Sequence, residues 1–514
     1  MNGAESLIRT LLAGGTEVCF TNPGTSEMHL VAALDRQEKM RCVLGLFEGV
    51  VTGAADGYAR MAGKPACTLL HLGPGLANGL ANLHNASRAR VPIISLVGQH
   101  ATSHLQFDTP LTSDIEAIAR PYSKWQRTSR AASELGRDAA DAVIAARTAP
   151  GQIATLIVPA DVAWSEGGIV AEIPAPSKPL MPPAQAVDRA ATMLRSGLPT
   201  AILLAGGSLI GKGLAAAGQI AASTSAKLLA PYPFTRMERG AGIPVVERIP
   251  YILEQAVELL KEFRQIILVG ASAPVAYFAS PGKNAVLTSP ESDLHTLASA
   301  EQDGSLALEA LASALSLSGS KLRVETAQRP ELPVGEITLT GLAAAIGALL
   351  PENAIVVDES MTSGRGIMPA TTGAPPHDWL ANTGGSIGIA LPLAVGAAVA
   401  CPSRRVLCLS ADGSGMYTTQ ALWTMAREGL NITTVIFANR AYNVLKREFG
   451  NLGVGNPGPR ALNLFDIGRP DIDWVSLARG MGVPGTRVSS LDSFGKALRE
   501  GLAGEGPTLI EVPL

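Results

Sequence analysis

Aromatic side chains are scarce: Phe, Trp and Tyr make up 4% of the 514 residues. Bulky rings therefore cannot fill the interior. Close packing must come from Ala, Gly, Val and Leu, as where helices lie against parallel sheets. Cysteine is scarce too. Cys19, Cys42, Cys67, Cys401 and Cys408 are odd in number, form no C-x-x-C pair and sit mostly in apolar runs. That argues against a disulfide framework and for buried thiols in a reducing, cytoplasmic compartment. An excess of either charge is missing: 41 Lys and Arg face 44 Asp and Glu, with no basic block, so no nucleic-acid partner is expected. Long hydrophobic runs are also missing. The strongest, "SIGIALPLAVGAAVAC" (386–401), is interrupted by Gly388 and Pro392 and falls short of the about 20 residues that span a bilayer. No membrane segment is expected, and the first residues lack the unbroken apolar core of a signal peptide.

What is present is alternation. Short β-rich runs are separated by Ala-rich helical stretches along the whole chain, which predicts βαβ units and parallel sheets. The first block holds "EVCFT" (17–21), "CVLGLF" (42–47), "PACTLLH" (65–71), "PIISLVG" (92–98) and "IATLIVP" (153–159). A Pro-rich linker (172–183) follows. The second block holds "AILLAGG" (201–207), "KLLAPYP" (227–233), "QIILVG" (265–270) and "AVLTS" (285–289). A second polar, Pro-bearing stretch covers 318–336. The third block holds "AIVVDES" (354–360), "WLANT" (379–383), "RVLCLSADG" (405–413), "ITTVIFAN" (432–439) and "TLIEV" (508–512). The fold class is thus α/β, with three doubly wound parallel-sheet domains at 1–170, 184–317 and 336–514. Ligands in such sheets sit at the carboxyl ends of strands, so the residues just after these runs are the candidates.

Asp412 follows one strand and Asn439 ends the next. Two oxygen-bearing side chains on neighbouring strand ends suit a hard cation such as Mg²⁺ with a phosphate, and Gly413 and Gly415 let the backbone approach that phosphate. A helix cap and a turn residue are the plainer readings. The order small-Asp-Gly-Ser, a helical stretch, then Asn at a strand end resembles the diphosphate–metal motif of thiamine-diphosphate (ThDP) enzymes. Those families usually carry G-D-G and N-N, where this chain has Ala411-Asp412-Gly413 and Ala438-Asn439. "TNPGTSEMHL" (21–30), "GLFEGVVTGAADGYAR" (45–60) and "NTGGSIGIALPLAVGA" (382–397) are similar to segments of the decarboxylase/acetolactate-synthase superfamily. The resemblance runs through the whole chain in the expected order.

The resemblance implies an N-terminal pyrimidine-binding domain, a middle domain and a C-terminal diphosphate-binding domain. It implies Mg²⁺ on Asp412, Asn439 and the Ala441 carbonyl, and a diphosphate lined by Gly413, Ser414 and Tyr442. Glu48 would meet the aminopyrimidine, the Gly385 carbonyl would accept from its amino group, Ile387 would prop the cofactor, and Thr362 would add a contact. His71 matches the position of a catalytic His in benzoylformate decarboxylase, and Thr25 that of its substrate-binding Ser. That enzyme's second His has no counterpart: the middle block reads "ASAPVAYFASPGK" (271–283), with Tyr277 and Phe278. One proton donor fewer points toward carboligation, although His100 and His104 are loop histidines that could substitute.

The implied activity is ThDP- and Mg²⁺-dependent decarboxylation of a small 2-oxo acid with carboligation, acetolactate-synthase-like. The alternatives are a benzoylformate-decarboxylase-like enzyme acting on an aromatic 2-oxo acid, and a ThDP-binding protein without turnover. The family pattern also implies a homodimer or homotetramer with active sites between subunits. FAD, which acetolactate synthases bind, is doubtful, since no decisive signature for it is present. Two glycine loops are decoys. "GGSLIGKG" (206–213) lacks the hydroxyl residue that ends a Walker A loop, and in "GVGNPG" (453–458) no strand precedes the glycines.

Overall fold

The computed structural model describes residues 1–176, 179–317 and 322–514. The second Pro-bearing stretch thus begins outside the described residues, and so does part of the 172–183 linker. Among the described residues the strands form three sheets. The first contains β1 (Val18–Asn22), β2 (Arg41–Leu44), β3 (Ala66–Leu70), β4 (Ile93–Gln99), β5 (Trp125–Thr128) and β6 (Ile153–Pro159), all parallel, in the order β2-β1-β3-β4-β6-β5. The middle sheet is built from β7 (Thr200–Leu204), β8 (Lys227–Ala230), β10 (Glu247–Arg248), β11 (Gln265–Val269) and β12 (Asp293–Ala298), in the order β10-β8-β7-β11-β12. Between β8 and β10 the chain leaves it to form β9 (Arg236–Arg239). The third sheet holds β13 (Ile355–Glu359), β14 (His377–Ala381), β15 (Val406–Ala411), β16 (Ile432–Ala438), β17 (Gly485–Arg487) and β18 (Thr508–Pro513). Its order is β17-β18-β16-β15-β13-β14-β9, and β9 runs antiparallel to β14.

Most central strands are buried along their whole length, so both faces need apolar residues and the sequence reads as continuous hydrophobic runs. Alternate residues then serve different cores. In β15, Val406 and Cys408 face a core shared with the first sheet, while Leu407 and Leu409 face one shared with the middle sheet. The third sheet is therefore the wall against which the other two pack.

One expectation is corrected. The run 285–289 does not form a strand; Val286 makes only an isolated bridge with Val275, and the strand beside β11 is β12. The apolar segment 386–401 becomes the buried Ala390–Ala400 helix, packed on the Glu48–Ala62 helix. Small residues make this approach possible: a Cβ on Gly57 would lie 2.1 Å from the Leu393 carbonyl oxygen, and one on Gly396 would lie 1.9 Å from that of Ala54. No helix among the described residues is long and apolar enough to cross a membrane.

Candidate active site

Strands β15 and β16 are parallel neighbours with Ala411 opposite Phe437, so Asp412 and Asn439 emerge side by side. Asp412 is 2% exposed. It accepts from the Gly413 N–H at 2.8 Å through one oxygen and from the Arg440 N–H at 2.7 Å through the other. Burial pushes its carboxyl above the ordinary range, opposed by those backbone N–H groups. Asn439 accepts from the Ala441 N–H at 3.0 Å and donates to Ser363 Oγ at 3.3 Å. The Tyr442 ring packs over Gly413, and Ser414 is buried beside it. Among the described residues no cluster of three or more His, Cys, Asp or Glu could hold a metal. A cation here would need one carboxylate plus neutral oxygens, and Asp412, Asn439 and the Ala441 carbonyl are that donor set, of the type suited to Mg²⁺. Thr362, one position before Ser363, is half-buried.

The 382–390 segment is clamped from two sides. From the third sheet, the buried Glu359 carboxylate at the end of β13 accepts from Asn382 Nδ2 (2.9 Å), the Gly388 N–H (3.1 Å) and the Ala390 N–H (3.1 Å). Burial, against these hydrogen bonds, pushes its pKa up to about 7. From the first domain, Asn85 accepts from the Ser386 N–H and donates to the Ser386 carbonyl, and the His84 ring meets the Gly384 carbonyl at 3.1 Å. Gly385 and Gly388 sit at φ +78° and +95°, a region that other residues rarely adopt. Ile387 lies between the two clamps, half-buried, with Ile389 taking the core position.

A third cluster gathers in the first domain. Glu48, 8% exposed, opens the Glu48–Ala62 helix and accepts from Asn78 Nδ2 at 3.0 Å. His71 follows the last residue of β3 and caps the Leu72–Ala89 helix. Its Nδ1 lies 2.8 Å from an oxygen of Glu27, which is fully buried. Ser26 donates to the other Glu27 oxygen at 2.6 Å and lies 3.3 Å from the same ring nitrogen. Thr25 is exposed, and the hydroxyl at His71 is that of Ser26. His100 and His104 lie in the loop after β4 with ring centres 5.6 Å apart and planes tilted by 51°.

Sequence reasoning missed Glu27, Ser26, Asn78, Glu359 and Ser363. Glu27 carried a local signal, a carboxylate three residues after Gly24 that reaches back to the Gly24 N–H at 2.8 Å. Asn78 and Glu359 carried none, because their partners lie elsewhere in the chain.

At the carboxyl edge of the middle sheet is a cavity of about 240 Å³ lined by Tyr232, Tyr251, Tyr277, Phe278 and, from the Asn443–Asn451 helix, Arg447. The Arg447 guanidinium stands 5.5 Å from the centre of the Tyr251 ring. The Tyr277 hydroxyl abuts Gly385, 1.9 Å from where a Cβ would lie. Burial raises the Tyr277 phenol above its ordinary value, with Arg88 opposing.

This arrangement of strand-end oxygens and clamped glycine turn defines a cofactor-dependent α/β enzyme of the thiamine class, and the comparisons agree. The family pattern described as "Thiamine pyrophosphate enzyme, N-terminal TPP binding domain" matches residues 1–118, and "Thiamine pyrophosphate enzyme, C-terminal TPP binding domain" matches 367–512. The chain belongs to the thiamine pyrophosphate (thiamine diphosphate) enzyme family. A Mycobacterium tuberculosis protein named "Putative acetolactate synthase large subunit IlvX" is 52% identical over 514 residues, covering 100% of this chain and 99% of that protein. Benzoylformate decarboxylase of Pseudomonas aeruginosa is 29% identical over 528 residues, covering 97% and 96%. The solved structure of a Rhodococcus jostii thiamine diphosphate-dependent 4-hydroxybenzoylformate decarboxylase superimposes with a TM-score of 0.84 at 24% identity, covering 100% of this chain and 99% of that one. It shares the fold.

Proposed function

We propose that this enzyme, with ThDP and Mg²⁺, decarboxylates a small 2-oxo acid and joins the product to a second carbonyl, as an acetolactate synthase does. The bound cofactor supplies the electron sink for carbon–carbon cleavage. Asp412, Asn439 and the Ala441 carbonyl would hold Mg²⁺, with Gly413, Ser414 and Tyr442 along the diphosphate and Thr362 as a further contact. Ile387 would support the ring system, the Gly385 carbonyl would accept from the pyrimidine amino group, and Glu48 would hold a proton at the pyrimidine nitrogen. His71, fixed through Nδ1 by Glu27, keeps Nε2 for the substrate, and Thr25 and Ser26 supply hydroxyls nearby.

The observation that carries the carboligation reading is Tyr277 at the Gly385 turn. A phenol raised by burial is a poor proton donor near neutrality. Slow protonation of the product-forming carbon leaves time for a second carbonyl to react. The aromatic cavity beside it favours the other reading, simple decarboxylation of an aromatic 2-oxo acid.

Both readings call for two chains per site. The Gly384 carbonyl rests on His84, and at about 1.5 Å per residue His84 lies about 20 Å along its helix from His71. Glu48 and His71 would therefore work with the Gly385 turn and Asp412 of a second copy, in a dimer or tetramer. The exposed Phe107 of the first domain and Val454 and Leu464 of the third are suited to such an interface. The free cysteines fit a cytoplasmic setting.

The test is CO₂ release with ThDP and Mg²⁺ from pyruvate and from benzoylformate, with identification of each product. Acetolactate from pyruvate supports the first reading and benzaldehyde from benzoylformate the second. Bound ThDP without CO₂ from either acid, or from a wider panel, would overturn both in favour of a cofactor-binding protein without turnover.

A further inference from the structure

We propose that Glu359 is a positioning residue that holds the 382–390 segment in its cofactor-binding shape, and that its ionisation couples ThDP affinity to pH. The proposal rests on the assignment of Gly385 and Ile387 to the cofactor made above.

The geometry is that of a latch. Gly385 and Gly388 adopt left-handed conformations and, without side chains, resist rearrangement weakly. Ile387 is therefore placed by its neighbours, Ser386 on Asn85 and Gly388 on Glu359. Of the side chains holding Ser386 and Gly388, Glu359 is the one that can change charge; His84, also titratable, meets the Gly384 carbonyl from the first-domain side. Its two oxygens take donors from Asn382, Gly388 and Ala390, and an ionised carboxylate accepts all of them. Adding a proton turns one oxygen into a donor facing an N–H, and at least one of these contacts fails.

No cation offsets the charge: among the described residues Glu359 forms no ion pair. The titratable groups on the elements around it are Asp358 on its own strand, His377 and Asp378 at the opposite end of neighbouring β14, Cys408 on β15 and, beyond the end of β15, Asp412. The Ala390–Ala400 helix and the 382–389 turn contribute none. Burial is therefore what moves the carboxyl up to about 7, where it titrates under ordinary assay conditions. The sign follows from linkage: the shape that binds cofactor is the ionised one, so affinity is full above that pKa. It falls as pH drops through it, by up to about tenfold per unit for one proton.

The experiment is ThDP binding to the full chain with Mg²⁺, measured by titration calorimetry at pH 6, 7 and 8 for the wild type and Glu359→Gln. The glutamine resembles the protonated carboxyl at every pH. It is expected to bind about tenfold or more weakly than wild type at pH 8, and within about threefold of it at pH 6. Titration of the cofactor's own phosphates affects both proteins equally and cancels in the ratio. A ratio that does not change with pH would overturn the proposal. Failure of the wild type to bind ThDP would instead overturn the underlying assignment. If Glu359→Gln does not fold, Asn382→Ala serves. It removes one stabilising donor and is expected to move the pH midpoint of binding upward, and an unmoved midpoint would overturn the proposal.

Discussion

The pair Asp56–Arg60 offers the sharpest quantitative test of how the three sheets are held together. Both side chains are fully buried on the Glu48–Ala62 helix. Arg60 meets both Asp56 oxygens at 2.7 Å, then donates to the Ala381 carbonyl at 2.7 Å, the Thr235 carbonyl at 3.1 Å and Thr383 Oγ1 at 3.1 Å. One guanidinium thus ties the first domain to the strand leading into the 382–390 segment and to the approach to β9. Asp56→Ala would leave that cation buried with neutral acceptors alone. Breaking a buried pair from one side costs about 3–5 kcal/mol. At about 2–4 °C per kcal/mol for a unfolding unit of 150–250 residues, the first calorimetric transition should fall by about 6–20 °C. Asp56→Asn keeps an acceptor and the shape, so its loss should be smaller. A shift below about 2 °C for Asp56→Ala would refute the view that this pair is an uncompensated charge once broken. Thr383 also donates to the Asn85 carbonyl, so ThDP affinity should weaken along with stability, readable by the same calorimetric titration.

Glu48→Gln should bind ThDP within about threefold of wild type yet lose about 10²-fold or more of its turnover, as expected when a proton-carrying group is removed; full turnover would remove Glu48 from the chemistry. Tyr277→His should shift the product ratio from ligated product toward free aldehyde, because an imidazole donates a proton near neutrality where a phenol raised by partial burial does not. Chromatography of both products from one reaction reads this, and an unchanged ratio would sever Tyr277 from product fate.

The legible parts of the chain were those whose signal is local. Strands β15 and β16 read as apolar runs because both faces are covered, and Asp412 and Asn439 stood out as polar residues at their ends. Strand β9, "RMER", did not read as a strand, since it is an edge whose pairing with β14 is decided by another domain. Strand β5, "WQRT", is likewise a half-buried edge. In the site, Glu27 meets His71 at a separation of 44 positions, and Glu359 meets Gly388 at 29. No periodicity links such pairs. Ser26 lay inside a quoted motif, but which of two adjacent hydroxyls faces His71 is settled by the turn's backbone, which side-chain chemistry does not reveal.

The crossing of β9 into the third sheet bears on how the protein is made. Arg236 leaves the ribosome 142 positions before Asp378, the side chain it pairs with. The edge of β14, buried along its whole length, therefore emerges with its cover already synthesised. A fragment restricted to residues 336–514, which keeps β13 to β18, would lack that cover. It would present an open strand edge that is buried in the full chain, the kind of surface that pairs with other chains. The thiamine-binding halves are recognisable as sequence modules, yet the edge of the C-terminal one is closed by a strand from the middle of the chain.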